Sequence, residues 1–257
     1  MLNTEVDRRV DPITDLDNRY DRLREPEPNL PRRLFHFTDP RGLVGILSSG
    51  RLWASNADFL NDSSEPAHAL GVLNAALDEV VGGLRPGSAA ERAFNGCWDW
   101  AMNLYRAEGP HVYVFCMSEH DDLLSQWRSH GAQGAGYALG FSGRRLSELL
   151  QRPAQGLLRI VYDEREQRRE AESVFKQIVG TIEKPERKGG PINRTTVGQT
   201  EAPLLERQLR NYVLSEIVRL RAKFKAPAFQ EEGEWRIVQF VHPRVENPEV
   251  QFRSVSR

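Results

Sequence analysis

The chain reads as an α+β protein, a single domain over residues 31–257 with helical insertions. Three observations predict it. Short strand-compatible runs and longer helical patterns succeed one another without the regular alternation of a doubly wound sheet. No segment repeats another, and no shift of composition marks a domain boundary. With 257 residues, 39% of them hydrophobic, the chain can bury one sizeable core.

Residues 1–30 mix acids, arginines and prolines with few apolar positions and read as a flexible arm. Packing begins with the strand Leu34-Phe35-His36-Phe37. Thr38 and Asp39 are candidate helix N-caps, and Pro40 suits a first helical position. The stripe Leu43, Val44, Ile46 and Leu47 then ends at Gly50. Residues 51–55 read as a second strand. The polar turn Asn61-Asp62-Ser63-Ser64-Glu65 leads into helices over about 65–82 and 88–107, parted by Gly82-Gly83 and Pro86-Gly87. Residues 111–117 form a buried strand, and 121–130 a helix closed by Gly131. Strands at 137–141 and 157–162 flank a helix around 147–150. Helices follow over 164–182 and 204–224, with a loop at 184–203 between them. Residues 234–241 make the last clear strand, and a weaker one lies near 250–252.

Lys and Arg total 35 against 36 Asp and Glu, a net charge of −1. A wholly basic nucleic-acid binder is excluded, although a local basic face fits within a neutral total. No apolar run approaches the roughly 20 residues of a membrane-spanning helix. The first residues lack the apolar stretch of a secretory signal. No membrane partner is expected, and the cytoplasm is the expected compartment. Cys97 and Cys116 make no disulfide framework, and six histidines show no paired ligand spacing, so no metal is expected. Most of Gly131, Gly134, Gly136 and Gly140 precede a strand, the reverse of a dinucleotide fingerprint, and no Walker A loop occurs.

Polar residues inside apolar runs carry more information. Alternation places His36 on the face opposite Phe35 and Phe37. Glu231, Glu232 and Glu234 crowd the start of the late strand, and Glu234, followed by Trp235 and Arg236, enters it. Trp127 reads as a packing anchor or a stacking platform, and Gln126 and Arg128 as a solvated helix face or a cleft wall. Asn61, Asp62 and Glu65 either cap a helix or touch substrate. Arg207, Arg210, Arg219, Arg221, Lys223 and Lys225 tilt the long late helix basic, without an aromatic stacking rhythm.

Three blocks, LFHFTDPRGLVGILSSGRLWASNADFLNDSSE, VYVFCMSEHDDLLSQWRSHGAQGAGYALGF and APAFQEEGEWRIV, are similar to the bacterial domain of unknown function 2971 family, from about residue 34 to 240. The first also resembles the opening of ADP-ribosyltransferase domains. His36-Phe37-Thr38 stands where those domains carry His-Gly-Ser/Thr, and residues 46–52 where they carry an Ile-Leu-x-x-Gly-Leu-like turn. Gly134-Ala135-Gly136-Tyr137 resembles their glycines ahead of a tyrosine-bearing strand. Glu232 and Glu234 resemble the Glu-x-Glu pair of one branch.

That resemblance implies a split or mixed antiparallel β-sheet core of ADP-ribosyltransferase-like type, with NAD as substrate. Glu234, with Glu232, would steady the positive charge that builds on ribose as nicotinamide leaves. His36, Phe37, Thr38, Ser55, Tyr137 and Arg236 would contact NAD, with Tyr137 stacking on nicotinamide and Arg236 facing the diphosphate. Asn61, Asp62, Glu65, Gln126, Trp127 and Arg128 would contact substrate. The acceptor would be an unknown macromolecule, protein or nucleic acid, in a toxin or phage-defence setting. Two rivals stay open. One is a non-catalytic nucleotide- or nucleic-acid-binding module using Arg128, Arg236 and the basic late helix. The other is a magnesium-dependent nuclease or phosphotransferase using Asp62, Glu65 and Glu232.

Overall fold

The computed structural model describes residues 27, 29–60, 65–108, 111–150, 154–187 and 201–241. In chain order the elements are β1 (Arg33–Thr38), α1 (Pro40–Ser49), β2 (Ser55–Asn56), α2 (Glu65–Gly82), α3 (Ala89–Glu108), β3 (His111–Ser118) and α4 (Leu124–Ser129). Then come β4 (Tyr137–Ser142), α5 (Gly143–Leu149), β5 (Gln155–Arg159), α6 (Glu164–Arg187), α7 (Glu201–Lys223) and β6 (Glu234–Val241).

The strands form one antiparallel sheet of order β4-β1-β3-β6-β5, with β2 also paired to β3. β3 and β6 are zipped from His111↔Val241 to Ser118↔Glu234. β1 meets β3 only at Phe35↔Ser118, then runs with β4 from Arg33↔Ser142 to Thr38↔Tyr137. The sheet is therefore split where β1 leaves β3. This antiparallel sheet with helices outside any βαβ rhythm is an α+β fold.

Alternation along β3 feeds two cores. Val112 and Val114, with Val238 and Phe240 of β6, face a helical layer built around Leu73 of α2, Phe94 of α3, Phe175 and Ile178 of α6 and Ile217 of α7. On the opposite face Phe115, Met117, Leu34 and Trp235 pack with Ile46 of α1 and Leu146 of α5. α1 starts because the Asp39 carboxylate accepts the Gly42 amide at 2.6 Å, and it stops at Gly50, whose φ of 62° suits glycine. Asp39, not Thr38, is the cap.

Several expectations need correction. Residues 51–54 are not a strand, because the Trp53 ring lies against Gly45 of α1, where a Cβ would overlap it. α4 begins at Leu124 rather than 121, since Asp122 instead accepts the Trp127 indole N–H at 2.7 Å. β5 ends at Arg159, and Val161 makes a single parallel bridge to Phe224. The basic tilt of α7 is turned inward: Arg210 and Arg221 lie over the rings of Trp100 and Tyr105, and Arg219 pairs with Glu170 and Glu216. At the end of the N-terminal arm, Glu27 pairs with Lys223 at 3.0 Å and Leu30 packs on the smaller core. Residues 1–26, the loop centre 188–200 and the strand expected at 250–252 lie outside the described residues. Among the described residues no helix is long and apolar enough to cross a membrane.

Candidate functional site

Where β1 leaves β3, a cavity of about 370 Å³ opens against the sheet. β1 contributes Phe35, His36 and Phe37 to its wall, and β3 contributes Cys116 and Met117. β6 supplies Glu234 and Arg236, with Glu232, Phe229 and Lys225 from the chain just before it. Gln126, Ser129 and His130 close it from the α4 side, and Leu60 completes it.

The register explains the convergence. Ser118 stands opposite Glu234 and Cys116 opposite Arg236, which puts these residues on one face of the paired strands. A 3₁₀ turn at Pro227–Glu232 leads into β6 and ends at Gly233, whose φ is 49°. Its geometry is fixed by backbone ties. The Gly233 carbonyl accepts the Glu119 amide at 2.9 Å, the Ser118 hydroxyl donates to the Glu232 carbonyl at 2.6 Å, and the Glu234 amide donates to the Tyr162 hydroxyl at 3.0 Å. Both acids are thereby held at the mouth of β6.

Four charges meet there. Glu234 Oε1 accepts from Arg236 Nε at 2.7 Å, and Oε2 accepts from Arg236 Nη2 and Lys225 Nζ, both at 3.0 Å. Lys225 Nζ also reaches Glu232 Oε2 at 2.6 Å. Arg236 spends Nη1 on the Ala222 carbonyl at 3.2 Å. Glu234 is 6% exposed and Arg236 2%. Burial pushes the Glu234 carboxyl up, but the Arg236 guanidinium, its hydrogen bonds and the Lys225 ammonium outweigh that and hold it at about 2. Glu234 is thus an anion near neutral pH and cannot serve there as a general acid.

Two imidazoles complete the wall. His36 Nδ1 lies 2.8 Å from the Cys116 carbonyl. A carbonyl only accepts, so the proton sits on Nδ1 and Nε2 is left as an acceptor. The ring stacks on Phe115 with centroids 4.1 Å apart. Burial holds His36 below its usual range against the raising effect of that hydrogen bond, and burial likewise lowers His130. Burial, then the Glu234 charge, pushes the Cys116 thiol well up, so no thiolate nucleophile is available. The site offers a fixed anion, a second carboxylate, a neutral imidazole acceptor and aromatic walls.

Of the residues singled out above, His36, Phe37, Gln126, Glu232, Glu234 and Arg236 line this one cavity. Tyr137 does not. It pairs with Thr38 on the edge strand β4, outside the cavity lining, and is 46% exposed. Arg236 does not face an open phosphate position, because Glu234 and Ala222 take its nitrogens. Thr38 is buried outside the cavity, and Ser55 pairs with Val114 in β2. Trp127 is a packing anchor, edge-on to Phe37 at 4.8 Å and bonded to Asp122. Arg128 is exposed away from the cavity lining. Asn61 and Asp62 lie outside the described residues, as does the Glu65 side chain. Among the described residues no group of three or more His, Cys, Asp or Glu could hold a metal ion.

His130 and Phe229 were missed by sequence reasoning, and Lys225 was read only as part of a basic helix. Lys225 did carry a signal, a lone cation in the run Phe224-Lys225-Ala226-Pro227-Ala228-Phe229. His130 sits just ahead of the Gly131 turn, and its place beside Glu234 and Lys225 depends on chain about 100 residues away.

Residues 126–237 match the model of a family described as a protein of unknown function, DUF2971. The matched span runs from α4 to β6 and includes Gln126, His130, Lys225, Glu232, Glu234 and Arg236, while the β1 and β3 walls precede it. No curated protein matches the chain, and no solved structure does.

Proposed function

We propose that the chain is an NAD-using ADP-ribosyltransferase-like enzyme whose reaction centre is the cavity between β1 and β6. The observation that carries this reading is the convergence of His36, Phe37, Glu232 and Glu234 on one cavity of about 370 Å³. That volume sits at the small end of the ligand-pocket range of roughly 300–1,000 Å³ and suits the nicotinamide–ribose half of a dinucleotide. When the nicotinamide–ribose bond breaks, its electron pair leaves with nicotinamide and the ribose becomes cationic. Glu234, ionised and fixed by two cations, presents negative charge that needs no reorganisation as that cation forms. His36 Nε2 accepts from a ribose hydroxyl. Glu232, the less buried acid, orients the incoming acceptor. With Tyr137 outside the cavity, Phe35 and Phe229 are the aromatic walls available to the leaving ring.

A second reading, a non-catalytic nucleotide-binding module, is favoured by one observation: Arg236 and Lys225 already bind both oxygens of Glu234. The test is nicotinamide release from NAD, with ADP-ribose labelling of a cell extract, by the purified protein and its Glu232→Gln and Glu234→Gln variants. The transferase reading expects turnover to fall on the order of 100-fold in both. NAD binding without release supports the binding module, and neither binding nor release rejects both.

A further inference from the structure

On the same sheet face, beyond Phe35, a second and more open groove of about 630 Å³ runs across β1 and β4. Arg32, Arg33, Phe35, Ala138, Gly140 and Ser142 line it. The register Arg33↔Ser142 and Phe35↔Gly140 builds its floor. α1 and α5 pack on the opposite face, and the helical layer covers β3, β6 and β5, which leaves this strip of sheet open. Gly140 allows the Phe35 ring to lie over β4, because a Cβ there would come within 3.2 Å of the ring. Arg32 and Arg33 are exposed and make no ion pair among the described residues. The neighbouring Arg144 and Arg145 differ, since Glu148 holds both at 2.8 and 3.1 Å. Phe35 lines this groove and the smaller cavity alike, so the two adjoin at its ring.

We infer that this groove binds single-stranded nucleic acid, with phosphates on Arg32 and Arg33 and a base against Phe35. The chemistry favours this occupant over an acidic peptide. Two guanidiniums with no ion pair among the described residues match phosphate geometry, and an aromatic ring about two residues along the strand, roughly 7 Å away, offers a stacking face. The small side chains of Ala138, Gly140 and Ser142 leave room for a base and sugar above β4. The inference stands apart from the transferase reading, because it requires neither NAD nor chemistry in the cavity.

The test is fluorescence anisotropy of a labelled oligothymidylate with the full chain over a salt series. Two phosphate contacts on a single strand predict a slope of about −1.4 in log affinity against log salt. Arg32→Ala/Arg33→Ala should flatten that slope and lower low-salt affinity at least about tenfold. Phe35→Leu should weaken binding about tenfold while leaving the slope intact. Arg144→Ala/Arg145→Ala should change nothing. The inference is overturned if the oligonucleotide does not bind, or if the Arg32/Arg33 variant keeps the salt slope. It also fails if thymidine monophosphate or polyglutamate displaces the strand at equal charge concentration. Nicotinamide release by the Arg32/Arg33 variant reads the cavity separately.

Discussion

Two buried clusters of charge lie on the helical side of the sheet, and they differ in one respect. In the first, Glu232, Glu234, Lys225 and Arg236 interlock at the mouth of β6 and line a cavity. In the second, Arg219 bridges Glu216 and Glu170, and Lys223 bridges Glu170 and Glu27. That second cluster sits between α6 and α7 and outside the cavity. Both depress a carboxylate: burial raises Glu170 too, yet Lys223 and Arg219 bring it below its usual value. Buried, mutually compensated charge is therefore not evidence of function by itself. What distinguishes the first cluster is open volume beside it, together with a neutral imidazole and aromatic walls.

The largest effect should come from unbalancing each cluster. Removing one partner of a buried pair leaves an uncompensated charge and costs about 3–5 kcal/mol. Glu234→Gln and Glu216→Gln should both lose stability on that scale in urea denaturation. Only Glu234→Gln should also lose cavity ligand. Replacing Arg219, Glu216 and Glu170 together by apolar residues of similar volume, which leaves the Lys223–Glu27 pair, should restore or exceed native stability. If that triple replacement also abolished NAD turnover in a folded protein, the division between a structural and a functional cluster would be wrong.

Acid provides a slightly smaller perturbation. The Glu234 carboxyl is held at about 2 when folded, against about 4.3 for an unperturbed glutamate. A depressed carboxyl contributes stability that is fully present above its unfolded value and is lost as pH falls through its folded one. The loss should therefore run from about pH 5 down to pH 2 and reach about 3 kcal/mol. His36 and His130 are also lowered, by burial first, so their contribution is present above about 6.5 and begins to fall below it. A urea midpoint measured against pH should show a shallow decline below pH 6.5 and a steeper one below pH 5. In Glu234→Gln the steeper limb should shrink, with a remnant from Glu170. An unchanged limb would mean that Glu234 is not the group titrating.

The contrast also explains what the sequence could and could not disclose. His36, Glu232 and Glu234 were legible because each is polar beside an apolar strand run, where a charged or hydrogen-bonding group needs a partner. The cap Asp39, Pro40 at the helix start and the stop Gly50 were legible for the same local reason, as were the ends of α2. Tyr137 failed because its direction depends on the register between β4 and β1, which local pattern does not specify. Lys225 reaches Glu234 across nine residues only because the 3₁₀ turn and Gly233 fold the chain back. The inward turn of the basic helix depended on Trp100 and Tyr105, which lie on α3 about 110 residues earlier. Most of what rested on a single segment was readable, the exceptions being residues 51–54 and the start of α4, each set by where a tryptophan ring docks.

The smallest prediction compares the imidazoles on the two sides. His36 bonds the Cys116 carbonyl at 2.8 Å beside the cavity, while His68 bonds Gln167 Oε1 at 3.0 Å within the helical layer. Losing either hydrogen bond should cost about 1 kcal/mol. His36→Leu and His68→Leu should therefore move the urea midpoint by similar amounts. The ligand should separate them, because of the two only His36 lines the cavity. In His36→Leu, NAD affinity should fall about tenfold while the slope of stability against pH near 6.5 becomes shallower. His68→Leu should leave NAD affinity unchanged. Equal NAD affinity in both variants would reduce His36 to a packing residue and leave Glu232 and Glu234 to define the site.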